Sequence, residues 1–291
     1  MKLTHSRAVA LMVLITMMWS IAGVVTRQLE SARSFEVTFW RSFFTAASLL
    51  VILPLVRGRV VFSQIRQRGL AFWLSGLCWS IMFTAFMVAL TLTTVANVLV
   101  TMALSPFITA LLARVFIGHR IAPRTWLAIA LAGAGIAWMY GGQMDLASNL
   151  GGTLVALLVP LASAANWTVV QHSRAHGKNI DLVPAVLLGA VVSTLATLPL
   201  AFPFAATAHD LALLGLLGLV QLAIPCVLAV MCAGVLKAPE MALLALLEVI
   251  FGILLAWFGA GEEPGASVLT GGALVIGALA ANEMIGWRQK A

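Results

Sequence analysis

The stretch Ala8–Thr26 reads AVALMVLITMMWSIAGVVT and contains no charged side chain. A helix needs about 20 mostly apolar residues to cross the hydrocarbon core of a bilayer, so this stretch predicts a transmembrane helix. A cleavable signal peptide is not indicated, because the apolar core is long and Arg27 follows it without an obvious small-residue cleavage site.

The same composition extends along the whole chain. Of its 291 residues, 62% are hydrophobic and only 9% are charged, and the mean hydropathy is +1.06. Soluble domains carry about 25% charged residues, so an ordinary globular enzyme is excluded, and the apolar content also excludes a disordered chain. The sequence predicts an all-α integral membrane protein, because backbone groups in hydrocarbon must bond within their own helix.

Polar breaks divide the chain into ten apolar stretches, each long enough for one helical crossing. They lie near residues 8–26, 37–56, 69–90, 93–114, 121–140, 151–171, 182–203, 211–236, 239–259 and 266–286. We therefore predict ten transmembrane helices.

The basic residues lie almost entirely on one side of these predicted helices. Arg27 and Arg33 fall on the side opposite the N-terminus, and Arg41 lies within a span. Those on the N-terminal side are Lys2, Arg7, Arg57, Arg59, Arg66, Arg68, Arg114, Arg120, Arg124, Arg174, Lys178, Lys237, Arg288 and Lys290. Because cytoplasmic loops are rich in Lys and Arg, both termini are predicted to be cytoplasmic, in a bacterial-type inner membrane. The net charge of +7 is then a topology signal that favours lipid contact and not nucleic-acid binding.

The chain also contains an internal repeat. The segment Leu111–His119 (LLARVFIGH) resembles Leu254–Glu262 (LLAWFGAGE) at a shift of 143 residues. With five helices in each half, the second half must be inverted relative to the first, so we predict two inverted five-helix repeats, residues 1–145 and 146–291. Inverted repeats in transporters place a site near the bilayer midplane. An old duplication without mechanical meaning is the alternative interpretation.

Several short motifs occur in a characteristic order along the spans. They are Trp19-Ser20, Trp40-Arg41-Ser42, Phe86-Met87-Val88-Ala89-Leu90, Leu104-Ser105-Pro106-Phe107 with Gly118, and Leu247-Glu248 through Phe251 with Gly261-Glu262. With these motifs and the repeat, nearly the whole chain resembles the ten-helix EamA-type branch of the drug/metabolite transporter superfamily, and most closely its exporters of aromatic and other amino acids. Val249 follows Glu248 where family members often have proline, so the resemblance leaves a kink in the ninth span open.

This resemblance implies a secondary transporter that exports small amphipathic metabolites, with amino acids as the expected substrates, by alternating access. A broad-specificity drug or metabolite exporter is the nearest alternative. A nucleotide-sugar carrier ranks lower, because it would need several basic residues for the diphosphate within the cavity and only Arg41 is available there. A membrane enzyme or sensor is the alternative from another class. The sequence has no GxSxG, HExxH or phosphate-loop motif, so we predict no catalytic residue, no metal and no cofactor.

Polar residues recur every four positions in the fourth span, at Asn97, Thr101, Ser105 and Thr109. This spacing forms one polar stripe along a helix. The stripe either lines a wet pathway or makes interhelical hydrogen bonds, which contribute about 0.6 kcal/mol each in membranes. Pro106 favours the pathway, because a proline frees a backbone carbonyl in the preceding turn.

The first and sixth spans carry matching patches of polar and aromatic residues. Trp19 and Ser20 correspond to Asn166 and Trp167 at a shift of 147 residues, and Ser163 precedes them by one turn. Symmetry would place the patches face to face, and an indole beside hydrogen-bonding groups suits a substrate with an apolar body. Tryptophans that only pack within the bundle are the alternative.

Two ionisable residues lie well inside spans. Glu248 is near the middle of the ninth span, where a carboxyl costs at least about 2.5 kcal/mol and must face protein or water. It binds a substrate amine, carries a proton or makes a structural hydrogen bond. Arg41 meets a substrate carboxylate, pairs with Glu248 or extends to the outer interface. Gln221 in the eighth span and Trp79 in the third are further cavity candidates.

Small residues in the fifth and tenth spans predict close helix packing. They are Gly133, Gly135, Gly271, Gly272, Gly277 and Ala281. Such faces serve packing within one chain as well as between chains, so the sequence allows a monomer or a homodimer. The expected partners are a small-molecule substrate and membrane lipid.

Overall fold

The computed structural model describes residues 3–26, 28–32, 34–58, 60–63, 69–93, 95–118, 121–141, 150–175, 181–260 and 265–288. These residues are helical between short loops and contain no strand, so the all-helical prediction is confirmed. The helices are α1 (His5–Thr26), α2 (Ser34–Arg57), α3 (Val60–Ser63), α4 (Leu70–Leu92), α5 (Val95–Met102), α6 (Ser105–Ile117), α7 (Pro123–Tyr140), α8 (Leu150–Ala175), α9 (Pro184–Ala201), α10 (Ala208–Leu216), α11 (Ile224–Cys232), α12 (Ala238–Ala245), α13 (Leu247–Ala260) and α14 (Ala266–Arg288).

Eight stretches of the described residues are long and apolar enough to cross a membrane. They are His5–Thr26, Phe35–Val56, Leu70–Ala89, Val100–Ile117, Leu150–Ala175, Pro184–Ala201, Ala208–Cys232 and Ala238–Leu255, and a shorter apolar helix covers Ala266–Asn282. The protein is therefore a multi-pass membrane protein, as predicted. Helix α7 occupies the predicted fifth span but is not among the eight, so ten crossings and cytoplasmic termini stay predictions.

The fourth predicted span is split into α5 and α6. At the break, the N–H groups of Ala103 and Leu104 donate to carbonyl oxygens only three residues earlier, at 3.2 and 3.1 Å. Pro106 lies in the first turn of α6, where a helix N–H has no partner within the helix and its loss costs little. The polar stripe predicted for this span is thus not continuous, because the helix is interrupted between Thr101 and Ser105.

The eighth and ninth spans are interrupted as well. A π-helical segment, Leu217–Ala223, joins α10 to α11. The ninth span breaks between α12 and α13, where the N–H of Leu246 donates to the carbonyl of Leu243 at 3.2 Å. The resemblance left a kink in the ninth span open, and the structure has one although no proline lies there.

The most extensive helix contacts join the two predicted repeats. Helix α4 packs against α8 and α9, α2 packs against α9, and α7 packs against α14. Helix α1 packs against the segment from the π-helical turn to α13. Both predicted repeats therefore contribute to each of these interfaces.

Glycines allow the closest of these approaches. A Cβ atom added to Gly189 on α9 would overlap Trp79 Cβ and lie 3.0 Å from the backbone oxygen of Gly76 and the backbone nitrogen of Ser80, both on α4. Close approach of two helix backbones through small residues is the common packing mode in membranes. The α4–α9 interface therefore has no room for a side chain at residue 189.

The small residues of α7 and α14 that predict close helix packing differ in their surroundings. Gly135 and Gly271 face each other, and a Cβ on either would lie within 2.8 Å of the other's carbonyl oxygen. The prediction is confirmed for this pair. It is wrong for Gly133 and Gly277, which have no heavy atom within 4 Å of an added Cβ, because these glycines lie on other faces of their helices.

Two buried carboxylates join the loops that lie beside each other at one end of the bundle. Asp210, at the start of α10, accepts hydrogen bonds from the backbone N–H groups of Glu30, Ser31 and Ala32 in the α1–α2 loop, at 2.8 to 3.1 Å. Glu36, at the start of α2, accepts from the N–H groups of Ala205 and Ala206 in the α9–α10 loop. Both carboxylates are 0% exposed. We call Glu36 and Asp210 the carboxylate clamp.

Replacing Asp210 by asparagine should lower the free energy of unfolding by about 1–3 kcal/mol, because buried N–H groups lose an acceptor. The thermal unfolding midpoint of the purified protein in detergent measures the effect. Glu30→Gln is the matched control, since the Glu30 side chain is 59% exposed in the same loop region and should leave the midpoint nearly unchanged. An unaltered midpoint in Asp210→Asn would show that the carboxylate is not needed.

Candidate functional site

One cavity lies where the three interrupted spans meet α1, α2, α4 and α8. Its volume is about 130 Å³. Its walls include Trp19, Arg41, Trp79, Ser105, Ser163, Trp167, Gln221 and Glu248, together with the apolar side chains of Met82, Phe83, Phe86, Met102, Val159, Pro160, Leu222, Cys226, Ala242, Ala245, Leu246 and Val249. The cavity is therefore mostly apolar with a few convergent polar groups, as small-molecule sites commonly are.

Ser20, Thr101 and Asn166, which were also predicted as site residues, lie outside the cavity wall. Ser20 Oγ donates to the carbonyl of Met17 in its own helix at 2.7 Å, and Thr101 is buried outside the cavity wall. Asn166 is 0% exposed and its Oδ1 accepts from Ser75 Oγ at 2.6 Å, so its side chain joins α8 to α4. The Asn97 side chain lies outside the described residues. Substrate binding by the eight residues in the walls stays a prediction.

Arg41 presents a positive charge to the cavity from α2. Its side chain is only 2% exposed, so extension to the membrane interface, one of the sequence alternatives, is wrong. Nη2 donates to the carbonyl oxygen of Phe83 at 3.0 Å, whereas Nε is buried with no acceptor among the described residues. An unpaired buried donor is costly, so this guanidinium is able to gain from a ligand oxygen.

Glu248 faces the same cavity from the first turn of α13. Its carboxylate interacts electrostatically with Arg41, but no ion pair within 4.0 Å joins the two among the described residues. The Glu248 carboxylate also makes no hydrogen bond to any described residue. The cavity thus holds two opposite charges that are near each other without direct contact.

Tryptophan side chains form much of the apolar wall. The indoles of Trp79 and Trp167 pack edge to face, with ring centroids 5.8 Å apart, and neither Nε1 has an acceptor among the described residues. Trp19 and Cys226 both line this wall. Aromatic faces of this kind suit an apolar or aromatic ligand body.

Sequence reasoning missed the apolar residues of α4 that share the wall with Trp79. Met82, Phe83 and Phe86 lie three, four and seven residues after Trp79, which is the spacing of one helix face. The signal was thus present in the sequence once Trp79 was placed in the cavity.

Gln221 reaches the cavity from the π-helical segment. Its Nε2 donates to the carbonyl of Trp19 at 3.4 Å, and its Oε1 is buried with no donor among the described residues. Thr45 Oγ1 donates to the carbonyl of Gly218 in the same segment at 3.1 Å. Single π-helical turns are often found at functional sites, because they redirect side chains. Here the segment is held by α2, the helix that carries Arg41.

The only cluster of possible metal ligands in the described part of the chain contains no residue of the cavity wall. Ligand atoms of Glu30, His209 and Asp210 lie within 4.8 Å of one another. The Asp210 oxygens already accept backbone N–H groups as part of the carboxylate clamp. The cavity itself offers Glu248 as its single carboxylate, which suits a ligand cation better than a coordinated metal ion.

Comparison with known proteins connects this architecture to a transporter family. Residues 6–141 match the sequence model of the EamA-like transporter family, so this part of the chain carries an EamA-like domain. Solved structures with a similar fold include one described only as "Crystal structure of protein", with a TM-score of 0.81 and 17% sequence identity over 97% of this chain and 99% of that one. At this identity the likeness shows the fold alone. The comparison with curated proteins finds no match.

Proposed function

We propose that the whole chain is an EamA-type secondary transporter that exports small amphipathic metabolites, with amino acids as the substrate class, across the inner membrane by alternating access. The observation that carries this proposal is the cavity, which combines a buried guanidinium, a carboxylate and aromatic walls. An amino acid presents a carboxylate, an ammonium group and a side chain to these three features.

The arrangement of helices supports the two inverted repeats, residues 1–145 and 146–291, on which alternating access would depend. The interruptions in the fourth and ninth spans lie at corresponding positions of the repeat, and both line the cavity. Interrupted helices at the interface of inverted repeats are a common feature of substrate sites in secondary transporters. The distribution of basic residues supports cytoplasmic termini.

A broad-specificity drug or metabolite exporter is the second candidate. The apolar share of the cavity wall favours it, because tryptophan and phenylalanine faces accept many ligand bodies. The buried Arg41 and the facing Glu248 favour amino acids as substrates, since a neutral drug would leave both charges unpaired.

Efflux of radiolabelled amino acids from vesicles reconstituted with the purified protein tests the proposal. We expect saturable efflux of an aromatic amino acid that unlabelled substrate inhibits and that protein-free vesicles lack. Efflux of apolar cations or dyes with no amino-acid efflux would favour the broad exporter instead.

Glu248→Gln should reduce amino-acid binding by about 10-fold, because the substrate ammonium loses a charged acceptor worth about 1.5–3 kcal/mol. Glutamine keeps the size and one carbonyl oxygen, so folding should be preserved. Competition binding with the purified variant measures the loss. Glu30→Gln is the control, because Glu30 is exposed and does not line the cavity, so this variant should bind normally. Wild-type affinity in Glu248→Gln would remove Glu248 from the site.

A further inference from the structure

The interruptions in the fourth and ninth spans differ in one chemical feature. At the repeat shift of 143 residues, Ser105 in the first turn of α6 corresponds to Glu248 in the first turn of α13. Both residues line the cavity. The first turn of α13 thus carries an acidic residue, whereas the first turn of α6 carries none.

The start of a helix favours a negative charge, because its first N–H groups lack partners within the helix and the aligned peptide dipoles add a partial positive charge there. Fewer N–H groups are available here than in an isolated helix, because Pro106 has none and the N–H of Val249 donates to the carbonyl of Leu246 at 3.1 Å. Glu248 places the protein's own carboxylate at the start of α13. No side chain caps the start of α6. This helix has 13 residues, which is long enough for its peptide dipoles to attract a negative charge.

A second, independent feature of the same cavity lacks a negative partner. Arg41 is 2% exposed, and only its Nη2 has a hydrogen-bond acceptor, the carbonyl of Phe83. The buried N–H groups of Arg41 Nε, Trp79 and Trp167 have no acceptor among the described residues. Gln221 Oε1 is a buried oxygen of the same wall without a donor among the described residues, and the Glu248 carboxylate makes no hydrogen bond to them either. The unpaired N–H of Arg41 Nε is therefore able to bind an oxygen of a ligand.

We propose that the carboxylate of the substrate binds between the start of α6, at Ser105, and Arg41, while Glu248 occupies the corresponding start of α13 and receives the ammonium group. This assignment rests on the proposed amino-acid function for the ammonium end, but the carboxylate subsite stands on its own geometry. It selects a substrate with one carboxylate, because Glu248 already fills the second anion position and repels another negative group. Dicarboxylates and phosphate esters are thereby disfavoured.

Ser105→Asp tests the subsite by adding a carboxylate where the substrate's carboxylate would bind. The probes are phenylalanine, phenylpropionate and phenylethylamine, which carry both charges, only the carboxylate and only the ammonium, and their affinities for the purified protein are measured by titration calorimetry. We expect phenylpropionate to bind Ser105→Asp about 10-fold or more weakly than wild type, and phenylethylamine to bind at least as tightly. Ser105→Asn has nearly the same shape as Ser105→Asp but no charge, so it should weaken phenylpropionate binding much less than Ser105→Asp does.

Glu248→Ser provides the reciprocal test and does not depend on the folding of Ser105→Asp. It vacates the start of α13, so phenylpropionate should bind at least as tightly as in wild type and phenylethylamine about 10-fold or more weakly. The inference is wrong if phenylpropionate does not bind the wild-type protein, or if Ser105→Asp binds phenylpropionate with the wild-type affinity. It is also wrong if Glu248→Ser lowers the affinity for phenylpropionate as much as the affinity for phenylethylamine.

These outcomes separate the subsite from the proposed function. Carboxylate binding that responds to Ser105→Asp without any amino-acid efflux from vesicles would reject the transport of amino acids and leave the subsite. Amino-acid efflux together with carboxylate binding that ignores Ser105→Asp would reject the subsite and leave the transport function.

Discussion

Arg41→Met should reduce the proposed amino-acid transport about 10- to 100-fold, the largest loss that we expect from a single side chain of the cavity. A hydrogen bond to a charged group contributes about 1.5–3 kcal/mol, and each 1.4 kcal/mol corresponds to a factor of ten in binding. Methionine matches the length of the arginine stem but carries no charge. Initial rates of radiolabelled exchange in reconstituted vesicles measure the loss.

Two further variants separate the charge of Arg41 from its packing role. Arg41→Lys keeps the positive charge but loses the planar donor pair, so it should transport at a rate between those of wild type and Arg41→Met. Arg114→Met removes an exposed arginine from the last turn of α6 and should transport normally. Wild-type transport by Arg41→Met would place the substrate site elsewhere in the protein.

Gly189→Ala should destabilise the protein by about 1–3 kcal/mol and also reduce transport. The added methyl group has no space against α4, where it meets Trp79 Cβ and the backbone of Gly76 and Ser80. Backbone atoms cannot rotate away, so α4 must shift, which is the cost of overpacking a core. The shift would carry Trp79 out of its place in the cavity wall.

The thermal unfolding midpoint and the exchange rate of Gly189→Ala measure the two effects. Gly277→Ala in α14 is the matched control, because an added Cβ there meets no heavy atom within 4 Å. It should unfold at the wild-type temperature or slightly above it, since alanine favours a helix over glycine by up to about 1 kcal/mol. If Gly189→Ala behaves as Gly277→Ala does, the close contact between α4 and α9 is not needed.

Residue type alone was sufficient to select the charged, polar and tryptophan side chains of the cavity wall, but not its other apolar side chains. Arg41, Glu248 and Gln221 are conspicuous because polar groups are expensive in an apolar span, so each needs a partner or a wet surface. The same logic cannot separate a cavity residue from a structural one. Ser20 and Asn166 have the right chemistry, but their hydrogen bonds go to Met17 and Ser75, and only the packed structure reveals those partners.

The interruptions of the helices were the least predictable part of the fold. Pro106 indicates the break in the fourth span, but the break before Glu248 has no proline. In the eighth span, Gln221 and Pro225 lie one turn apart and predict a break in the apolar run, but they do not predict the π-helical form of the segment, which Thr45 contacts through a hydrogen bond to Gly218. Such local departures from a regular helix are decided by tertiary packing and not by local propensity.

The carboxylate clamp constrains which parts of the molecule are able to move as rigid bodies. Asp210 comes from one sequence half and binds N–H groups of the other, and Glu36 does the reverse. A rotation of one half against the other at this end would break hydrogen bonds of five backbone N–H groups, each worth about 1 kcal/mol. The α1–α2 turn and the α9–α10 turn therefore belong to one mechanical unit. We therefore expect a boundary between moving bodies to differ from the boundary between the two predicted repeats.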